Sequence, residues 1–369
     1  MKRIVVKIGS SSLTINEGQC AGQFNKKYID KIVKELTDLH RQGTQVILVT
    51  SGAICAGINK LRLTAKPQTI PEKQAAAAVG QGQLMHLYEE MFAKYDCVVA
   101  QVLLTREDMS ERSRYLNIRN TLLTLLNYKV IPVINENDTV AIEEIKFGDN
   151  DTLSALVASK VEADMLIILS DVAGLYTGDP RRDKKARLIE EVREITREIE
   201  DSAGGEGTKY GTGGMSTKLQ AAKIATAAGV MTVITDGTKE NVLSRIIKGE
   251  NIGTRFLAKA GKISGRKRWI GFAAKTSGAI IIDEGASVAI LKKGKSLLPS
   301  GILAVEGKFE TGAIVVVRTR DKKDIARGLV SYTAEEINKI KGQKSGRIEE
   351  LLGWRGYDEV IHRDNLVIL

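Results

Sequence analysis

What most constrains this chain is the alternation, over residues 1–255, of short β-rich runs with helical patterns. Residues 3–8, 45–50, 98–104, 130–134 and 165–169 read as strands. Between them, residues 28–41 place Ile29, Ile32, Val33, Leu36 and Leu39 at helical spacing, and 72–94, 113–127 and 152–161 read as further helices. Strands that alternate with helices predict an α/β layer sandwich on a largely parallel sheet. Such sheets bind ligands beyond the carboxyl ends of their strands. The Gly-rich and polar segments fall there: Gly9-Ser10-Ser11-Ser12, Ser51-Gly52-Ala53, Asn135-Glu136-Asn137-Asp138 and Ser170-Asp171.

At 369 residues the chain is too long for one ordinary domain of about 100–200 residues, so two are expected. From position 278 the texture changes to short runs, at 279–282, 287–290, 313–318 and 325–329, which suggest a small β-rich module. Charge changes with it, for residues 256–369 hold 21 Lys and Arg against 13 Asp and Glu, or +8 of the total +10. Lys259, Lys262, Arg266, Lys267 and Arg268 lie in a stretch without acids, which reads as a linker. A basic face also suits polyanions, which it gathers by releasing their counterions. With 43% hydrophobic residues the chain has ample core material, and no apolar run approaches the roughly 18 residues of a membrane helix. No cleavable leader is recognisable at the N-terminus, so the expected location is the cytoplasm. Three scattered cysteines and three isolated histidines supply neither a disulfide framework, a zinc site nor a Ser-His-Asp triad.

Two segments can cradle phosphate. Residues 5–12 set Lys7 at a strand end before small residues whose N–H groups can converge on anionic oxygens; residues 211–218, Gly-Thr-Gly-Gly-Met-Ser-Thr-Lys, open a helix and end on Lys218. Neither is a G-x-x-x-x-G-K-[ST] loop, and Ser216 breaks G-x-G-x-x-G. Each alone reads equally well as a strand-to-helix turn; together, with two lysines, they point to phosphoryl transfer. The acidic and amide groups of 135–138 and 148–151 read either as Asx turns and a helix cap or as a site.

Taken together, residues 5–12, 49–53, 134–138, 148–153 and 211–218 resemble the glutamate 5-kinase family of the amino acid kinase superfamily. Residues 266–269, 283–286 and 297–299 resemble the PUA domain appended to it. Ser170 stands where that family is expected to have Thr, and it keeps a hydroxyl there. The resemblance implies a three-layer α/β/α sandwich over 1–257, a basic linker over 258–275 and a small β-rich PUA domain over 276–369. It implies that ATP, with Mg²⁺, phosphorylates the γ-carboxylate of L-glutamate, the first step toward proline, with proline as feedback inhibitor. Lys7, Asp151 and Lys218 would be catalytic, Asp151 orienting the two lysines. Ser51, Asp138 and Asn150 would bind glutamate. Lys7, Ser170, Asp171, Thr212, Gly213, Gly214, Met215, Ser216, Thr217 and Lys218 would bind ATP. No protein metal ligand is expected. A homo-oligomer, dimer or tetramer, weak RNA contact through the PUA domain and no membrane contact complete the picture. The alternatives are another kinase of the superfamily and an RNA-binding or RNA-modifying factor, for which the paired lysine and Gly-rich loops would be superfluous.

Overall fold

The computed structural model describes residues 2–15, 23–140, 150–178, 180, 183, 185–202, 214–258, 267, 269–354 and 357–369. The chain divides into two compact units, Met1–Asp108 with Leu116–Lys262, and Met109–Tyr115 with Ile263–Leu369.

In the first unit the strands are β1 (Arg3–Ile8), β2 (Thr14–Ile15), β3 (Gln23–Phe24), β4 (Gln45–Val49), β5 (Val99–Leu104), β6 (Ile131–Glu136), β7 (Met165–Ser170), β8 (Glu191–Val192), β9 (Met231–Asp236) and β10 (Thr254–Phe256). Among the described residues β2 and β3 pair with each other, and the rest form an eight-stranded sheet in the order β5-β6-β4-β1-β7-β9-β10-β8. It is parallel from β5 to β9, and β10 runs antiparallel to β9. The sequences explain this arrangement: β4 (QVILV) and β7 (MLIILS) are buried at every position, as strands covered on both faces must be.

Alternation along β1 sorts its side chains between two helical layers. Ile4, Val6 and Ile8 enter the core built with Ile29, Ile32, Val33 and Leu36 of the helix Lys26–Arg41 and Leu84, Tyr88 and Phe92 of the helix Ile70–Ala93. Lys7 is out of step with them and points to the opposite layer, where the helix Asn150–Lys160 runs against β1 and β7 and packs on the helix Met215–Ala227. The result is the expected three-layer sandwich. The helix Asn150–Lys160 is buried at every position, which is why its sequence shows no amphipathic stripe. The helices Ala53–Lys60 and Ile70–Ala93 approach to backbone contact, since a Cβ on Gly57 would lie 1.8 Å from the Ala76 carbonyl and one on Gly80 1.8 Å from that of Ala53.

The second unit holds β11 (Gly278–Ile282), β12 (Ile302–Glu306), β13 (Ile314–Thr319), β14 (Asp324–Leu329) and β15 (Leu366–Ile368), ordered β12-β11-β13-β14-β15. Residues 287–290, read from sequence as a strand run, lie instead in the helix Glu284–Lys293. Asp283 caps its start by accepting from the Ala286 N–H, and Gly294 closes it in the left-handed region at φ 58°. A run of four residues is too short to separate strand from helix; the cap and the glycine decide it. Met109–Tyr115 also belongs to this unit: Tyr115 packs with Trp269, Ile270 and Val367, and the Trp269 indole donates to the Ser110 carbonyl at 3.1 Å. The linker lysines and arginines 259, 262, 266 and 268 lie outside the described residues.

Candidate active site

β1 lies at the centre of the sheet, with β4 on one side and β7 on the other, so the chain changes direction about it. This is the switch point at which open α/β sheets leave a crevice beyond their carboxyl ends. Two polar clusters meet there, and neighbouring residues of one helix join them.

The first cluster is ionic. Asp151, in the opening turn of the helix Asn150–Lys160, is 1% exposed. Its Oδ1 lies 2.6 Å from Lys7 Nζ, and its Oδ2 lies 3.3 Å from Lys218 Nζ and 3.0 Å from the Thr217 hydroxyl. Burial alone would push the Asp151 carboxyl up. The ammonium groups of Lys7 and Lys218, helped by hydrogen bonds from Lys7 and Thr217, outweigh it and hold the carboxyl down at about 2. One carboxylate thus fixes two buried ammonium groups.

The main chain adds donors around that charge. A Cβ on Gly9 would lie 3.5 Å from Lys7 Nζ, so a bare stretch of backbone flanks the ammonium group. The helix Met215–Ala227 starts from Gly214, which has no side chain to cap it, and among the described residues its opening turn offers main-chain N–H groups to an anion. Gly214, Met215 and Thr217 are half-buried and Ser216 is exposed. Thr212 and Gly213 lie outside the described residues, as do Gly148 and Asp149. At the end of β7, Ser170 is buried and its hydroxyl donates to Asp171 Oδ1 at 3.1 Å, while Asp171 itself is exposed.

The second cluster is neutral. Asn150 Nδ2 lies 2.8 Å from both Ser51 Oγ and the Thr50 carbonyl and 3.1 Å from Asn135 Oδ1, three acceptors that share its two protons. Asn135 Nδ2 in turn donates to Gln81 Oε1 at 2.8 Å, and the Thr50 and Tyr88 hydroxyls are 2.7 Å apart. Asp138 stands half-buried two residues beyond β6.

The structure therefore brings Lys7, Asp151, Thr217 and Lys218 into one contact group and Ser51 with Asn150 into another. Asp138, Ser170, Asp171 and 214–216 stand at the same end of the sheet or on the helix that carries Lys218. Sequence reasoning missed Gln81 and Tyr88. Thr50 and Asn135 lie inside the segments 49–53 and 134–138 but received no role of their own. Gln81 and Tyr88 sit in an Ala-rich helix with no motif about them, and only their burial distinguishes them. Among the described residues no group of three or more His, Cys, Asp or Glu side chains could hold a metal ion, and no helix is long and apolar enough to cross a membrane.

Comparison with known proteins identifies the family. The model of the amino acid kinase family matches residues 2–236, and that of the PUA domain matches 278–352. Similar curated proteins carry the name glutamate 5-kinase. The one from Thermoanaerobacter sp. (strain X514) is 55% identical over 367 residues, covering 100% of this chain and 98% of that protein. The one from Caldanaerobacter subterraneus subsp. tengcongensis is 56% identical over 367 residues, with the same coverage. The one from Carboxydothermus hydrogenoformans is 55% identical over 369 residues, again covering 100% and 98%.

Proposed function

This chain belongs to the amino acid kinase family, and from that membership we propose that it phosphorylates the γ-carboxylate of L-glutamate with ATP, giving L-glutamyl 5-phosphate and ADP, the first step of proline biosynthesis. The observation that supports this most is the buried Lys7–Asp151–Lys218 cluster, set beside an uncapped helix N-terminus.

A side-chain carboxylate, with an ordinary pKa of about 4.3, is already ionised at neutral pH, so no general base is required. An oxygen of the γ-carboxylate attacks the γ-phosphorus, the bond from that phosphorus to the β,γ-bridging oxygen breaks, and ADP leaves with the electron pair. The remaining task is to hold two anions in line and stabilise charge on the transferring group. Lys7 and Lys218 approach that group from two sides, and Asp151 holds both ammonium groups ready before substrate arrives. Gly214, Met215, Ser216, Thr217 and Lys218, with Thr212 and Gly213 before them, cradle the ATP phosphates, and Ser170 and Asp171 contact the nucleotide.

Ser51 and Asn150 hold the amino acid, and Asp138 pairs with its α-ammonium. Mg²⁺ would be held chiefly by the ATP phosphates and water and would supply positive charge there, because that ion keeps several waters and rarely takes an all-protein cage. Proline shares the α-carboxylate and a charged amine with glutamate, so it competes at Asp138 and Asn150 as feedback inhibitor. A homo-oligomer, a cytoplasmic location and weak RNA contact through the basic PUA domain belong to the same reading.

The test is hydroxylamine trapping of the acyl phosphate. Hydroxamate should form only with glutamate, ATP and Mg²⁺ together, and N-acetylglutamate, which lacks the free ammonium, should be a poor substitute. Equal turnover of N-acetylglutamate would defeat the role given to Asp138.

A further inference from the structure

Gln81, Asn135 and Asn150 come from three separate elements and are joined end to end. Asn135 Nδ2 donates to Gln81 Oε1 at 2.8 Å, and Asn150 Nδ2 donates to Asn135 Oδ1 at 3.1 Å. A chain of amides in isolation can run in either direction, because each group offers a donor on one side and an acceptor on the other. This chain has only one direction. Asn150 Nδ2 also donates to the Thr50 main-chain carbonyl at 2.8 Å, and a carbonyl can only accept. Asn150 must therefore present its nitrogen to Thr50. Asn135 must turn its oxygen to Asn150 and its nitrogen to Gln81, which must answer with its own oxygen.

That direction leaves two open ends. Asn150 Oδ1 and Gln81 Nε2 are buried and have no hydrogen-bond partner among the described residues, on side chains 7% and 9% exposed. Buried amide atoms without partners are uncommon, and a ligand is one physical reason for them. The open acceptor at Asn150 suits an N–H of an α-ammonium group. The other end has little room to drift, because Gly80, next to Gln81, lies where a Cβ would stand 1.8 Å from the Ala53 carbonyl.

We propose that Gln81 is a positioning residue of the amino-acid site: by accepting from Asn135 it holds Asn150 with Oδ1 turned to the substrate. This rests on the reading of the Ser51–Asn150 cluster as an amino-acid site. Gln81 acts through its oxygen, so two variants separate positioning from mere packing. Q81M keeps the length and removes the acceptor; Q81E puts an oxygen back opposite Asn135.

The experiment measures the KM for glutamate, the KM for ATP and kcat for the full-length wild type, Q81M and Q81E. Beside them it measures solvent exchange of the Asn150 side-chain amide protons by NMR on ¹⁵N-asparagine-labelled protein. Q81M should raise the glutamate KM about tenfold or more, as for one lost hydrogen bond to a charged group, while kcat and the ATP KM change far less. Q81E should recover most of that loss. The Asn150 amide protons should exchange slowly in wild type and Q81E and quickly in Q81M. A Q81M that lowers kcat or thermal stability without a selective rise in glutamate KM, or a Q81E as impaired as Q81M, would overturn the proposal. If the wild type itself fails to turn over glutamate, the substrate reading falls, and the exchange data then decide the relay by themselves. Should Q81M fail to fold, Q81E decides: rapid Asn150 exchange there would overturn the relay, and slow exchange would support it.

Discussion

Replacing Asp151 by Asn removes one charge and almost no volume, so its consequences follow from electrostatics. In the wild type the carboxylate lies between Lys7 and Lys218, all three side chains being at most 10% exposed. The difference between about 2 and the ordinary 3.8 corresponds to roughly 2–3 kcal/mol in favour of the ionised form. Because the folded value lies below the ordinary one, this stability is fully present above about pH 4 and fades as pH falls toward about 2. At neutral pH, D151N removes the carboxylate that both buried ammonium groups share, and losing one partner of a buried pair costs about 3–5 kcal/mol. For a unit of this size that is a fall in Tm of roughly 6–20 °C, at about 2–4 °C per kcal/mol. On the proposed reading ATP phosphates bring negative charge to the same ammonium groups, so saturating ATP should raise the Tm of D151N by more than it raises that of the wild type. Thermal melts with and without ATP measure both quantities. An unchanged Tm, or an equal gain from ATP in both proteins, would refute the account of Asp151.

Lys7→Ala and Lys218→Ala should each lower kcat roughly a hundred- to a thousandfold, as for loss of one preorganised charge-stabilising donor; steady-state kinetics at saturating substrates checks this, and wild-type rates in a folded variant would count against it. Gly80→Ala should destabilise the protein by about 1–3 kcal/mol, because the new methyl would meet the Ala53 carbonyl and spread two helices; urea unfolding reads the loss. Glu35 is buried, its carboxyl is raised by that burial above the ordinary 4.5, and its Oε2 accepts from the Leu243 N–H at 2.8 Å. For a raised acid the folded state binds more protons than the unfolded one, so wild-type stability should fall as pH rises from 4.5 through the raised value. Glu35→Gln should flatten that slope in unfolding curves taken at several pH values.

How far the sequence discloses such sites depends on how local the cause is. β1, β4 and β7 were legible because strands covered on both faces are apolar over most of their length, and the helix Lys26–Arg41 because one face stays wet. The helix Asn150–Lys160 has no wet face, so its polar start marked it better than any periodicity. Residues 287–290 were misread where the cap at Asp283 and the glycine at 294 outrank a short apolar run. Nothing local in Met109–Tyr115 assigns it to the second unit, since its partners Trp269 and Val367 lie more than a hundred residues away. The same holds at the site. Lys7 and Lys218 stand in Gly-rich segments that suggest phosphate by themselves, and Asp151 in an acidic-amide segment. Gln81 is joined to Asn135 across 54 positions and to no motif, so only the fold shows it.

Attack of a glutamate carboxylate oxygen on phosphorus in front of the Lys7–Asp151–Lys218 cluster can be followed with glutamate labelled with ¹⁸O in both γ-carboxylate oxygens, turned over with unlabelled ATP and Mg²⁺ and trapped with hydroxylamine. Hydroxylamine attacks the acyl carbon, the carbon–oxygen bond breaks, and phosphate departs with the oxygen that joined it to glutamate. One ¹⁸O per phosphate should be released in the wild type, and release should be slowed with the same labelling in the lysine variants. Phosphate free of ¹⁸O while hydroxamate accumulates would contradict it.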